Sequence, residues 1–155
     1  LRERGSGSDD ARVADSAAGV GRAQQALGRL DEAEASYRRA LGIRERVFGN
    51  GHPHVARATE GLGRIYEARG DAVGARKWHE RALAIREKAY GPQHSEVALS
   101  LTHLGNVLYE VGDHSGAQSS YERAIAIREK ALGSEHPEVA ARLNSLGNLH
   151  YVNGD

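Results

Sequence analysis

Cysteine and methionine are both missing from the 155 residues, and proline occurs only three times. Without cysteine there is no disulfide framework, no thiolate nucleophile and no cysteine-ligated metal. That suits a reducing compartment, and the expectation is a cytoplasmic protein. Without methionine, Leu1 is no natural start, so the chain reads as a piece of something longer. Aromatic residues are scarce at 5%, with one tryptophan and one phenylalanine, which argues against a globular core built around large rings. Neither sign of charge dominates: 21 Lys and Arg face 21 Asp and Glu. The global field therefore gives no reason to expect nucleic acid or an anionic membrane as a partner. No apolar run approaches the roughly 18 residues that span a bilayer, and no signal peptide opens the chain.

What is abundant is glycine, 19 residues at regular places. The segment His79–Asp113 aligns with Tyr121–Asp155 at 21 of 35 positions, and the same register reaches back to Tyr37, a period of 42 residues. Even Leu1–Arg4, "LRER", falls where "IRER" and the two "IREK" segments close their units. A period of this size marks a stacked repeat architecture. The units run approximately over residues 12–53, 54–95, 96–137 and 138–155, the last one truncated, within a single array fragment spanning 1–155.

Each unit reads as two helices. Val97, Leu101, Leu104 and Leu108 recur at three- and four-residue spacing and mark one face of the first. Pro53 and Pro137 suit its first turn, where a missing N–H costs nothing. Gly70, Gly112 and Gly154 stop it, each followed by aspartate. The second helix carries Ala117, Tyr121, Ala124 and Ile125 on one stripe, and Gly49, Gly91 and Gly133 are expected to end it as left-handed caps. Gly21, Gly63, Gly105 and Gly147 lie within the first helices at one phase, where each costs about 1 kcal/mol relative to alanine. Their common place predicts a close approach to the partner helix, with Ala33, Ala75 and Ala117 opposite.

These residues resemble the tetratricopeptide repeat (TPR), whose pattern sets a large residue, Leu-Gly and an aromatic on the first helix and Ala, an aromatic and Ala on the second. Leu101, Leu104, Gly105 and Leu108 take the first set in the third unit, and Thr59, Leu62, Gly63 and Tyr66 in the second. Ala33, Tyr37 and Ala40 match the second set, as do Ala75, His79 and Ala82, and Ala117, Tyr121 and Ala124. His79, His150 and Leu108 depart from the aromatic positions, and the first copy, with Ala17, Val20, Gly21 and Gln24, is weak. The extra length, with Gly-x-x-His-Pro-x-Val, resembles the kinesin light chain type of repeat. The resemblance covers essentially the whole chain. It implies an all-α fold, an alpha-alpha superhelix in which antiparallel helical hairpins stack as a TPR solenoid.

No chemistry stands out beside it. His52, His94 and His136 recur at one phase, but copies one repeat apart are separated by about a helix diameter, roughly 10 Å, and cannot share an ion. They read as residues of the loop entering a helix, and "HPH" at His52–His54 is the one weak chelate conceivable. No nucleophile–base pair and no glycine-rich phosphate loop is visible. The expectation is no enzyme, no catalytic residue, no metal site and no cofactor. The "IREK" segments at Ile85–Lys88 and Ile127–Lys130 read as a solvated ladder with ion pairs between neighbouring copies. Trp78, beside His79, is expected to pack over it.

In TPR arrays the first helices line the concave groove, so the resemblance implies that a protein or peptide partner lies there. Positions offset from the Leu-Gly stripe would face it: Arg22 in the first unit, Arg57 and Arg64 in the second, Thr102, Asn106 and Tyr109 in the third, Asn144, Asn148 and Tyr151 in the fourth. Asparagine offers a donor and an acceptor to an extended backbone, arginine can hold a carboxylate, and tyrosine adds area with a polar tip. The kinesin light chain resemblance implies adaptor or scaffold work on peptides of acidic and aromatic character. The alternatives are a sensor or scaffold arm of a larger nucleotide-switch signalling protein, and a self-assembling repeat segment. The second follows from the final helix, where Leu143, Leu146 and Leu149 would lack a covering partner, so that end-to-end association or fraying of residues 138–153 is expected.

Overall fold

The computed structural model describes the backbone of residues 2–132 and the side chains of residues 7–131. Six helices and no strand occur among them: α1 (Arg2–Ala26), α2 (Leu30–Phe48), α3 (Pro53–Ala68), α4 (Ala72–Tyr90), α5 (Ser95–Glu110) and α6 (His114–Leu132). The chain divides into two compact units, Leu1–Ile85 and Arg86–Asp155. The first holds α1, α2, α3 and most of α4; the second holds the end of α4 with α5 and α6. The uncovered leucines of the fourth unit and the proposed association through residues 138–153 lie outside the described residues.

Local chemistry sets the breaks. His52 and His94 are N-caps of α3 and α5, and each Nδ1 accepts the backbone N–H two residues on, from His54 at 3.2 Å and Glu96 at 3.1 Å. This gives the recurring histidines a structural role: they satisfy a donor that the helix cannot. Phe48 stacks on His52 at 4.6 Å and Tyr90 on His94 at 4.4 Å, so the last ring of one helix steadies the cap of the next. Asp71 and Asp113 play the same part for α4 and α6, accepting from Gly74 N–H at 2.8 Å and Gly116 N–H at 2.9 Å. The left-handed cap expected at Gly49 needs correction. Its φ of 84° is positive, but ψ is 158°, an extended conformation essentially confined to glycine.

The start of the chain departs from the later copies. The register places Gly7 where Gly49 and Gly91 end their helices, yet α1 runs unbroken from Arg2 to Ala26. Position 10 is Asp where the later entries carry the capping His52 and His94, and position 11 is Ala where they carry Pro53 and Ser95, so the histidine cap that opens α3 and α5 has no counterpart there.

In the first unit α1 packs on α2 and α3, and α2 on α3. The core is narrow and alanine-rich: Ala33, Ala40, Ala56 and Ala58 are fully buried with Leu62 and Ile65. Small residues bring the helices close enough for one ring per hairpin to reach the facing backbone. The close approach predicted at the mid-helix glycines is therefore made by a ring, not by the alanines, which are buried beside it. A methyl at Gly63 would sit 2.6 Å from Cε1 of His79, and one at Gly105 2.8 Å from Cε1 of Tyr121. Tyr37 is held twice, against Gly21 of α1 and Gly61 of α3. In the second unit α5 packs on α6 around Val97, Leu101, Leu108, Tyr121 and Ile125.

The "IREK" segments are only partly a solvated ladder. Glu45 pairs with Arg81, and Glu87 with Arg123 at 2.6 Å, as expected for neighbouring copies. The arginine is instead buried in two of the three copies, while Arg128 of the last is half-buried. Arg44 is 6% exposed and donates to Asp15 at 2.8 Å and to the His54 carbonyl at 3.2 Å. Arg86 is 2% exposed and donates to Ser100 Oγ at 2.7 Å, with Glu96 at 3.2 Å. These guanidiniums fasten the end of a second helix to the first helix that follows.

The glycines divide by what faces them, which gives a paired test. Gly63→Ala should destabilise the chain by about 1–3 kcal/mol through overpacking against His79. Gly42, inside α2 with nothing within 4 Å of an added methyl, should gain up to about 1 kcal/mol on change to alanine. Thermal melts of the two variants check both signs.

Candidate binding surface

The residues expected to meet a partner lie on first helices: Arg22 on α1, Arg57 and Arg64 on α3, and Thr102, Asn106 and Tyr109 on α5. Asn144, Asn148 and Tyr151 are outside the described residues.

In the first unit Arg22 and Arg57 are exposed and form no ion pair with any described residue. Arg64 is half-exposed, 3.6 Å from Glu60, and its Nε is buried without a partner. Glu67 does not help to neutralise it, because its carboxylate meets Nε2 of the buried His79 at 3.0 Å. The unit thus presents cationic side chains whose hydrogen-bonding capacity is largely unspent.

Two expectations change in the second unit. Thr102 is 2% exposed and its hydroxyl donates to the Ala98 carbonyl of its own helix at 3.0 Å, so it offers nothing to a partner. The same phase is buried at Ala18 and Glu60. That position of the stripe faces inward. Asn106 is exposed, but its Oδ1 accepts from the Tyr121 hydroxyl at 2.6 Å. With the acceptor engaged, Asn106 has its amide N–H groups left to donate. Tyr109 is 40% exposed, its ring edge-on to His114 at 5.0 Å.

The Tyr121–Asn106 bond has no counterpart at Tyr37. The residue at the phase of Asn106 is Arg22, which cannot accept, and the buried Tyr37 hydroxyl has no partner. Two other groups went unrecognised in the sequence. Arg44 and Arg86 were masked by their charged surroundings, although their unchanging place in "IRE" was a signal. The contacts of Trp78 are with other groups than His79: its ring is 6.4 Å from that of Tyr66, and the Arg38 guanidinium lies over it at 5.6 Å.

Electrostatics around the first unit are shaped by two groups. Burial alone would push the Glu34 carboxyl up, but hydrogen bonds from Arg69, Arg38 and Tyr66 hold it below the ordinary value of 4.5. Burial lowers His54 from 6.5, helped by the charges of His52, Arg44 and Arg57 against the opposing pull of Asp15.

Comparison with known proteins follows the geometry. The model of the tetratricopeptide repeat family matches residues 10–88, 68–130 and 96–155. A kinesin light chain-type protein of Podosopora anserina with nearly identical TPR-like repeats has 26% sequence identity and a TM-score of 0.82, over 94% of this chain and 68% of that one. BtubC (BKLC) from P. vanneervenii shares 26% identity with a TM-score of 0.83, over 92% of this chain and 57% of that one. The TPR domain of Arabidopsis FLU is 20% identical with a TM-score of 0.70, over 78% and 98%, and shows likeness of fold alone. No curated protein matches the sequence. The fold class, an all-α helical-repeat array of the kinesin light chain-like type, stands as expected. Among the described residues no helix is long and apolar enough to cross a membrane.

The two shifted groups predict acid lability in two windows. A histidine whose folded pKa is depressed contributes stability above the ordinary value, and the contribution is lost as pH falls below about 6.5. A depressed carboxylate contributes above about 4.5 and its contribution is lost on further acidification. The melting temperature should fall in both windows, with His54→Gln flattening the first and Glu34→Gln the second. Melts at closely spaced pH values read both.

Proposed function

Because the chain belongs to the tetratricopeptide repeat family, whose repeats serve protein–protein interaction, we propose that it holds an extended segment of a partner protein along the exposed faces of its first helices. The observation that carries this reading is the unspent polar capacity on those faces: Arg22 and Arg57 are exposed without ion pairs to any described residue, and Asn106 has its amide N–H groups left to donate. Cationic donors in this number favour a partner segment with acidic side chains. The Asn106 amide suits a backbone carbonyl, and the exposed edge of Tyr109 suits an apolar or aromatic side chain. Such a segment held along the array gives the chain the role of an adaptor or scaffold.

Removing one neutral hydrogen bond costs about 0.5–1.5 kcal/mol, so Asn106→Ala should weaken binding roughly two- to tenfold. Arg22→Ala with Arg57→Ala should weaken it more, and the loss should shrink at high salt, because screening already removes part of the charge term. Lys130→Ala, on exposed α6, should change little. Titration calorimetry with a partner recovered on the full chain reads these effects. Loss of affinity in Lys130→Ala with retention in the arginine variants would move the partner to another face.

A further inference from the structure

Repetition itself shows which residues the fold does not need. Where three hairpins share a backbone, a side chain present in only one of them is absent from two working copies. One group of such departures gathers around a single cleft.

On α4 the positions of Val73, Lys77 and Trp78 are occupied by Asp31, Ala35 and Ser36 in the hairpin before, and by Ser115, Ser119 and Ser120 in the hairpin after. Three small or polar positions have become an aliphatic, a cation and the only tryptophan of the chain. They meet Tyr66 of α3 around an open cleft of about 470 Å³. Val73 is 64% exposed, an apolar side chain left in water at the rim. Trp78 is half-buried on the core of the first unit, with Arg38 stacked over it, so its ring is held in place before anything binds.

The charges around the cleft are unevenly spent. Arg38 is committed to Glu34 and Arg81 to Glu45. Asp71 is committed to the N-terminus of α4 through Gly74 N–H. Lys77 forms no ion pair with any described residue, and it stands one residue from the tryptophan. An apolar wall beside an unpaired ammonium is complementary to one kind of group: an aliphatic or aromatic side chain flanked by a carboxylate. Held aromatics next to such a pocket are where binding energy concentrates.

We propose that the Val73–Lys77–Trp78 cleft is a second docking surface, separate from the first-helix faces, and that it takes an acidic peptide segment bearing an apolar side chain. The apolar group lies against Trp78, Tyr66 and Val73, and the neighbouring carboxylate pairs with Lys77. The three substitutions confer this on the second hairpin alone.

The test uses fluorescein-labelled hexapeptides Glu-Asp-X-Glu-Asp-Gly, with X leucine, phenylalanine or alanine, titrated into the full chain and read by anisotropy. The leucine and phenylalanine peptides should bind saturably, with alanine weaker by about tenfold. Lys77→Glu, at an exposed position, should weaken both by about tenfold or more, and added salt should do the same in the unchanged chain. Trp78→Ser installs the residue that both sister hairpins carry, so it should retain helical circular dichroism while losing the peptides. Arg57→Ala should leave them bound, which separates this surface from the first-helix site. Absence of saturable binding, equal affinity for the alanine peptide, or indifference to Lys77→Glu would overturn the proposal. So would loss of binding in Arg57→Ala, which would place the peptides on the first helices.

Discussion

One contact sets the spacing of everything else: a ring from the second helix of each hairpin lying on the bare backbone of the first. Tyr37 faces Gly21, His79 faces Gly63 and Tyr121 faces Gly105. Glycine in mid-helix weakens that helix by about 1 kcal/mol, and the cost is offset only if the space is filled. A buried ring fills it. Because the helices then approach closely, the remaining core positions must be small, which accounts for a core in which alanine outnumbers every large residue. Tyr37 extends the principle, since Gly61 of the next hairpin closes over its other side. The same ring that seals one hairpin so fixes the approach of α3.

With the interior settled by rings and alanines, the junctions between hairpins fall to polar groups. Arg44 and Arg86 reach from the end of a second helix to the helix that follows, and each finds a hydroxyl, carbonyl or carboxylate there. Buried charge of this kind is stabilising only while every partner stays in place. It therefore favours specific geometry over raw stability. His52 and His94 complete the junction by capping the incoming helix. These devices consume one face of each helix and leave the others free to differ between copies, and it is on those free faces that both proposed binding surfaces lie.

The period of 42 residues made the helices and their order legible, because two faces per unit repeat strictly enough to be counted. The mid-helix glycines also announced a close approach, although the ring that makes it was hidden behind the choice of alanine as the opposing residue. What could not be read was orientation at the level of one residue. Thr102 shares a helical phase with candidate groove positions, yet lies inward, because a stripe offset from the core by a fraction of a turn falls on the boundary. Asn106 was correctly exposed, but the reach of the Tyr121 hydroxyl across the hairpin is a tertiary fact. Arg44 and Arg86 sit among charged neighbours, and only burial tells them apart. At the start, α1 runs through Gly7, in phase with the glycines that follow α2 and α4, and the histidine caps of the later entries have no counterpart there.

The ring-on-glycine contact is tested most directly by a double-mutant cycle at Gly105 and Tyr121. With Tyr121 present, Gly105→Ala should destabilise the chain, since the added methyl would sit 2.8 Å from the ring. With Tyr121→Val, whose side chain stops short of that space, the same change should instead stabilise by up to about 1 kcal/mol through helix propensity. The sign reversal, a coupling of about 1–3 kcal/mol measured by denaturant unfolding, is the predicted result. Additive effects, with Gly105→Ala giving the same change in both backgrounds, would contradict the account.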